Sequence, residues 1–161
     1  MPSIDDVKHY LSTDTGLAVI STTQADGRVL SSLVNFGVID HPVTGEPRVA
    51  MVSGGSAARL GHVRRGSEVT VAVTRGWNWV GVTGPAELIG PADDGPLEAD
   101  AIRLLLREIY TAAGGTHDDF DEFDREMVKD GRTAVLVEPS RIIGNSPQAD
   151  LPRIDESASL M

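Results

Sequence analysis

Short runs rich in β-branched residues, separated by turn signals, recur along this chain and constrain its fold more than any other feature. Val, Ile and Thr favour extended backbone, whereas Gly, Pro and Asp between the runs favour turns. The order lacks the regular strand–helix alternation of a parallel sheet, so we predict a mainly β (α+β) domain with six to seven antiparallel strands in a barrel or sandwich. The predicted strands are 17–23, 29–39, 48–53, 68–74, 77–89, 133–138 and 142–143.

Four segments have the apolar spacing of helices instead. Ser3 is a suitable N-cap for the first helix, and Ser56 for the second. The third helix is predicted to bury one apolar face, made of Leu97, Ala101, Leu104, Leu105, Ile109 and Ala112. The four predicted helices are 4–12, 56–65, 97–113 and 119–129.

The chain is long enough for one domain and carries no signal of a second. Its 161 residues are 40% hydrophobic, which fits a single domain with its own core. We assign residues 1–145 to that domain and 146–161 to a polar C-terminal tail that contains Pro147 and Pro152. No apolar run reaches the roughly 20 residues that a membrane helix needs, so we expect no membrane partner.

Net charge and cysteine content indicate which binding partners and which cellular compartment to expect. A formal net charge of −10 repels polyanions, so we expect no nucleic-acid partner. The chain has no cysteine, and residues 1–6 lack the basic and apolar regions of a signal peptide. We therefore expect a cytoplasmic protein without disulfide bonds.

Familiar catalytic and metal-binding patterns are missing from the sequence. It contains no G-x-G-x-x-G, no G-x-x-x-x-G-K-[ST], no G-x-S-x-G and no H-E-x-x-H. The four histidines are far apart, and we predict no metal site. His117 precedes an acidic run at 118–126 that could bind a hard cation, although such runs more often form the solvated first turn of a helix.

The segment from Ser53 to Arg65 is the first that contains residues suited to binding an anion. A strand is predicted to end at Ser53, two glycines follow, and the next helix carries Arg59, Arg64 and Arg65. Backbone amides presented by the glycines, a hydroxyl and a guanidinium together make a cradle for phosphate or carboxylate. A plain glycine turn followed by a capped helix with surface arginines explains the same residues equally well.

Both tryptophans of the chain lie in a second informative segment. Trp77 and Trp79 are two residues apart, so on one strand they would share a face. An exposed or interfacial aromatic pair could stack on a planar ring system. The alternative is a buried pair that closes one end of a barrel.

Taken in order, these pieces resemble the pyridoxamine 5′-phosphate oxidase-like split β-barrel superfamily, and within it the F420-dependent flavin/deazaflavin oxidoreductase B group. The resemblance spans nearly all of residues 7–144. The segments that carry it are Asp26-Gly27-Arg28 and its strand, Gly54-Gly55-Ser56 and its basic helix, Val82-Thr83-Gly84-Pro85-Ala86-Glu87-Leu88 after the tryptophans, and Val135 to Gly144.

The resemblance implies an FMN-binding split barrel that works as a homodimer, with the cofactor bound between the subunits. It implies that the Gly-Gly-Ser loop and Arg59 hold the cofactor's phosphate, and that the strand from Ser31 to Phe36 lies along the ring system. The predicted cofactor-binding residues are Ser32, Val34, Asn35, Ser53, Gly54, Gly55, Ser56, Arg59, His62, Trp77 and Trp79.

This chain departs from the family pattern at three places. Arg59 replaces a lysine, which keeps the charge and adds a bidentate fork. His62 replaces an asparagine, and Gly66-Ser67 replaces Asp-Pro. The Arg-x-His pair of true pyridoxamine phosphate oxidases does not occur, which favours the reductase group over vitamin B6 chemistry.

The resemblance implies an oxidoreductase that uses F420, or FMN as the alternative, to transfer a hydride to a conjugated small-molecule acceptor. The cofactor carries out this chemistry, which is consistent with the missing acid–base motif, and we assign no catalytic residue. Two alternatives stay open. One is a flavin- or deazaflavin-binding protein without turnover, and the other is a heme-binding protein with His9, His41, His62 or His117 as axial ligand.

Overall fold

The computed structural model describes residues 2–13 and 15–145, and the predicted tail at 146–161 lies outside them. These residues form nine strands and four helices. In chain order the elements are α1 (Ile4–Ser12), β1 (Leu17–Thr23), β2 (Val29–Asn35), β3 (Gly37–Asp40), β4 (Pro47–Ser53), α2 (Ala58–Arg64), β5 (Val69–Arg75), β6 (Asn78–Gly84), β7 (Ala86–Ile89), α3 (Ala99–Ala112), α4 (Phe120–Lys129), β8 (Thr133–Val137) and β9 (Arg141–Gly144).

The strands form two antiparallel sheets, with the orders β2-β1-β5-β6-β9 and β3-β4-β8-β7. The α+β class and the antiparallel pairing are as predicted. A closed barrel is not seen, because no strand pairing within the described residues joins the two sheets. Four helices flank the sheets, and within this part of the chain none is both long and apolar enough to cross a membrane.

Two predicted strands each break into two, which raises the strand number above the predicted six or seven. Residues 29–39 turn from the first sheet into the second at Phe36, whose side chain is fully buried. Residues 77–89 do the same at Pro85, which has no N–H for a sheet ladder. Apolar and β-branched residues flank both corners, and the glycine and proline at them were interpreted as parts of longer strands.

The core has two parts, one on each face of the four-stranded sheet. Val49, Met51 and Val135 pack toward the five-stranded sheet, and α1 contributes Val7 and Tyr10 to the same cluster. Ala50, Ala134 and Leu136, which alternate with them along the strands, pack against the two long helices on the other face. The molecule is therefore layered as sheet, sheet and helices.

The predicted apolar face of α3 needs correction. Leu105 and Ile109 are buried as expected, but Ala101 and Leu104 are exposed, Leu97 precedes the helix, and Leu106 belongs to the core. The buried stripe is therefore centred on Leu105 and Leu106 and continues one turn later at Ile109.

Candidate functional site

The two sheets diverge beside the corner at Phe36 and leave a gap between β2 and β4. β3 pairs with β4 only up to the Gly37–Ala50 pair, whereas β2 pairs with β1. The end of β4, 51–53, therefore has a strand partner on the β8 side only. Backbone geometry thus opens one edge of each sheet toward the same space.

Arg59, on α2, spans this gap. Its Nη1 donates to the Ser53 hydroxyl at 3.2 Å, and its Nη2 donates to the Ser32 hydroxyl at 3.1 Å. No carboxylate of the described residues lies within ion-pair distance of Arg59, and burial lowers the pKa of its guanidinium. The group still carries its charge. Three predicted site residues thus meet around a half-buried positive charge that lacks an anion.

A cavity of about 570 Å³ lies next to the gap. Leu33 and Val52, the sequence neighbours of Ser32 and Ser53, line this cavity, whereas Arg59 is not part of its lining. Apolar and polar groups contribute nearly equally to the lining, and the apolar side chains offer a surface for a planar ring system. The described residues that line it are Thr15, Leu33, Val34, Asn35, Val52, Ile109, Tyr110, Ala113, Gly114, Gly115, Met127 and Arg132. Of these, Val34 and Asn35 are among the predicted cofactor-binding residues.

Arg132 is a site residue that the sequence reasoning missed. The register of β4 with β8 pairs Ser53 with Thr133, which brings Arg132 beside Gly54. A methyl group added at Gly54 would lie 4.0 Å from Arg132 Nη1. Only this pairing of two apolar strands, distant in sequence, marks Arg132. Gly54 is thus close to one guanidinium, and its neighbour Ser53 accepts from another, that of Arg59.

The two glycines of the loop have different roles. We predicted that both would present free amides, but the Gly55 N–H donates to the Asp130 carbonyl at 3.2 Å. A Cβ at Gly55 would lie 2.4 Å from the Gly131 carbonyl oxygen, whereas nothing closer than Arg132 faces Gly54. Gly55 is therefore required for close backbone packing, and its amide is not available to a ligand.

Ser56 and Arg64 do not line the first cavity. The N-cap of α2 is Ala57, and Ser56 is exposed, so the predicted cap is wrong because the helix begins two residues later than expected. Arg64 forms a bidentate pair with Asp93, at 2.9 and 2.8 Å, which raises the pKa of the Arg64 guanidinium. Of the predicted arginine cluster, only Arg59 faces the gap.

His62 is a structural histidine. It is buried, and its Nδ1 lies 2.9 Å from the Thr22 hydroxyl on β1. This hydrogen bond ties α2 to the five-stranded sheet and so fixes the base from which Arg59 extends. Among the described residues, no histidine lines the cavity.

The tryptophans lie away from the gap within one chain. Trp77 belongs to the β5–β6 turn, where Gly76 has a φ of +62°, and its side chain is 94% exposed. Trp79 is on β6, which β1 and β5 separate from β2. The prediction of a shared strand face is wrong, because the chain turns before Trp77 can join the strand.

An apolar row crosses the outer face of the five-stranded sheet. The register places Leu33, Val19, Ala72, Gly81 and Ile143 side by side, one from each strand. Leu33 is 63% exposed and Ile143 is 43% exposed. A continuous apolar row on a sheet face is typical of a surface that another molecule covers.

Solved structures share this fold, although no family model matches the sequence. A conserved hypothetical protein from Mycobacterium tuberculosis is 16% identical with a TM-score of 0.67, over 95% of this chain and 91% of its own. A pyridoxamine 5′-phosphate oxidase-related, FMN-binding protein from Nostoc punctiforme is 14% identical with a TM-score of 0.56, over 88% of this chain and 81% of its own. A protein described as an F420 reductase is 11% identical with a TM-score of 0.58, over 89% of this chain and 98% of its own.

A heme-binding protein from Mycobacterium smegmatis has the same fold at 14% identity, with a TM-score of 0.56, over 99% of this chain and 61% of its own. Pyridoxamine 5′-phosphate oxidase-like proteins, an F420 reductase among them, are thus structural neighbours of this chain, as the sequence resemblance predicted. At these identities the likeness establishes the fold, and the chemistry has to be argued from the site.

Proposed function

We propose that this chain, folded like flavin- and deazaflavin-binding proteins, is a cytoplasmic oxidoreductase that uses F420 to reduce a conjugated small-molecule acceptor. FMN is the alternative cofactor. The observation that carries the proposal is the half-buried guanidinium of Arg59, which is held by two hydroxyls and, within the described part of the chain, by no carboxylate. A charge in that state favours an anionic ligand group, and both cofactors carry one.

The residues around the gap fit such a cofactor. Arg59 would bind its phosphate, with Ser32 and Ser53 fixing the orientation of the guanidinium. The cavity next to them would take the ring system between Val34 and Val52 and exclude water from it. When bound, the cofactor supplies a hydride donor, and the protein supplies position and a dry slot.

The preference for F420 rests on charge. Arg132 lines the cavity and lies close to Gly54, and the preceding residue, Ser53, accepts from Arg59, so two guanidinium groups lie near the proposed site. F420 has an acidic tail in addition to its phosphate, whereas FMN ends at the phosphate. Two guanidinium groups along one cleft therefore suit the longer anion better.

We further propose that the protein is a homodimer that uses the apolar row on the five-stranded sheet. Leu33 belongs both to this row and to the lining of the cavity, so a second subunit on this face would border the cofactor site. Trp79 and the exposed Trp77 would then face the partner, where aromatic side chains contribute most to association.

Heme binding is disfavoured by the histidines. His62 is bonded to Thr22, and His41 Nδ1 accepts from the amides of Val43 and Thr44. No histidine of the described residues lines the cavity, so an axial ligand there would have to come from elsewhere.

A parallel titration with F420, FMN and hemin tests the cofactor. We expect saturable quenching of F420 fluorescence, with weaker binding of FMN and no sharp heme band. Tighter binding of FMN than of F420 would identify FMN as the cofactor and would leave the proposed binding site unchanged. Failure of both to bind would contradict the proposal.

Turnover separates an enzyme from a carrier. Purified protein is mixed with reduced F420 and a panel of quinones and other conjugated carbonyls, and the visible band of oxidised F420 is followed. Enzyme-dependent oxidation with one class of acceptor is expected. Tight binding without oxidation by any acceptor would identify a binding protein instead.

A further inference from the structure

A second cavity, of about 480 Å³, lies on the helical side of the molecule. It is enclosed by the loop at 90–97 and by one face each of α3 and α4. Its volume falls in the range of small-molecule sites, roughly 300–1,000 Å³. The apolar side chains that line it are Leu97, Ile102, Leu106, Met127 and Val128. Val128 is 81% exposed, although its neighbours belong to the core.

Two of the carboxylates in this cavity are already neutralised. Asp93 forms the bidentate pair with Arg64. Asp124 accepts from Arg107 and Arg103, and these bonds lower the pKa of its carboxyl. The third carboxylate, of Asp94, is on an exposed residue of the loop.

Arg132 is paired less completely. Its guanidinium donates no hydrogen bond to any described residue, and its Nε is sealed from solvent without a hydrogen-bond partner. Asp130 forms an ion pair with Nε at 3.7 Å, a distance too long for a hydrogen bond, and both side chains are partly exposed. A guanidinium has five donors, so this one is left with unused hydrogen-bonding capacity at the cavity wall.

We propose that this cavity binds a small amphipathic carboxylate, such as a medium-chain fatty acid or an arylalkanoic acid. Its apolar part would lie against Leu106, Met127 and Val128, and its carboxylate would accept hydrogen bonds from Arg132. The apolar part of the lining disfavours a fully polar anion, and the free donors of the Arg132 guanidinium favour an oxygen acceptor, a carboxylate above all, over a cationic head. Arg132 also lines the first cavity, so a carboxylate bound here and the acidic tail of F420 would compete for the same guanidinium.

Decanoate, kept below its micellar concentration, is the probe. Isothermal titration at neutral pH should show saturable binding of decanoate and none of decyltrimethylammonium, which has the same chain and the opposite charge. Binding of both probes, or of neither, would overturn the proposal.

Two variants locate the site. Val128→Glu places a charge in the second cavity only, and Arg132→Gln removes the proposed partner of the carboxylate. We expect each to weaken decanoate binding at least tenfold. Leu104→Glu is the matched control, because Leu104 is an exposed apolar residue of α3 that lines neither cavity.

Circular dichroism verifies that each variant is folded before titration. Val128 and Leu104 are both largely exposed, so their substitutions are compatible with folding. Unchanged decanoate binding in Val128→Glu would place the ligand elsewhere and contradict the proposal. Equal weakening in Leu104→Glu would indicate a general charge effect and contradict it as well.

Discussion

The Arg59 guanidinium and the Ser32 hydroxyl meet at 3.1 Å, although they come from a helix and an edge strand 27 residues apart. The contact crosses the gap where the two sheets separate, and Ser53 completes it from the other side. Two neutral hydroxyls orient the cation without cancelling its charge. This arrangement is ready for an anion, because little has to reorganise when one binds.

Gly55 and Gly54 provide a matched pair of stability tests. Gly55→Ala is expected to destabilise the protein by about 1–3 kcal/mol, because the new methyl group would overlap the Gly131 carbonyl. Gly54→Ala should change the free energy of unfolding far less, since its nearest neighbour is 4.0 Å away. Urea unfolding followed by circular dichroism measures both. Equal effects would show that the loop is not packed as described.

The proposed dimer can be tested at Val19, which lies between Leu33 and Ala72 in the apolar row. Val19→Glu should convert the dimer to a monomer, because an unpaired charge would be buried at the interface. Val43→Glu is the control, since Val43 is an exposed apolar residue of the β3–β4 loop. Light scattering coupled to size-exclusion chromatography gives the masses. A wild-type monomer at micromolar concentration would refute the dimer.

Asp124 makes part of the stability depend on pH. Its hydrogen bond from Arg107 is the main cause of its lowered pKa, so the folded state binds this proton less readily than the unfolded state. The stabilisation is therefore present above the ordinary carboxyl pKa of about 3.9 and is lost as the pH falls through the folded-state value.

Asp124→Asn should accordingly be less stable than wild type at pH 7, and the difference should shrink as the pH falls below about 4. The exposed residue Asp118, changed to Asn, serves as the control and should show no such convergence. Thermal unfolding of the three proteins at several pH values gives the comparison. If the difference in stability between Asp124→Asn and wild type stays constant down to pH 2, the Asp124 carboxylate does not cause the pH dependence.

Local patterns predicted most of the elements, because they depend on residues close together in the chain. The strand from Pro47 to Ser53 and the helix from Phe120 to Lys129 were found within one or two residues. The corners at Phe36 and Pro85 were missed, since apolar residues resume directly after each of them and the intervening glycine and proline are compatible with one longer, irregular strand. The position of such a corner depends on tertiary contacts of its side chains, which a local sequence pattern does not contain.

The site was predicted in part for the same reason. Ser32, Ser53 and Arg59 came from a resemblance over the whole chain, and the structure brings them together. Ser56 and Arg64 were drawn in only because they are neighbours in sequence. Arg132 escaped notice, because its place beside Gly54 depends on the pairing of two distant strands.

Arg59→Gln, titrated with F420 and FMN beside wild type, tests the central claim most directly. Removing a charge-assisted contact worth about 1.5–3 kcal/mol should weaken the cofactor roughly 10- to 100-fold. Arg65→Gln, which removes an exposed charge from the residue just after the same helix, should bind nearly as wild type does. Equal affinities for wild type and Arg59→Gln would contradict the account.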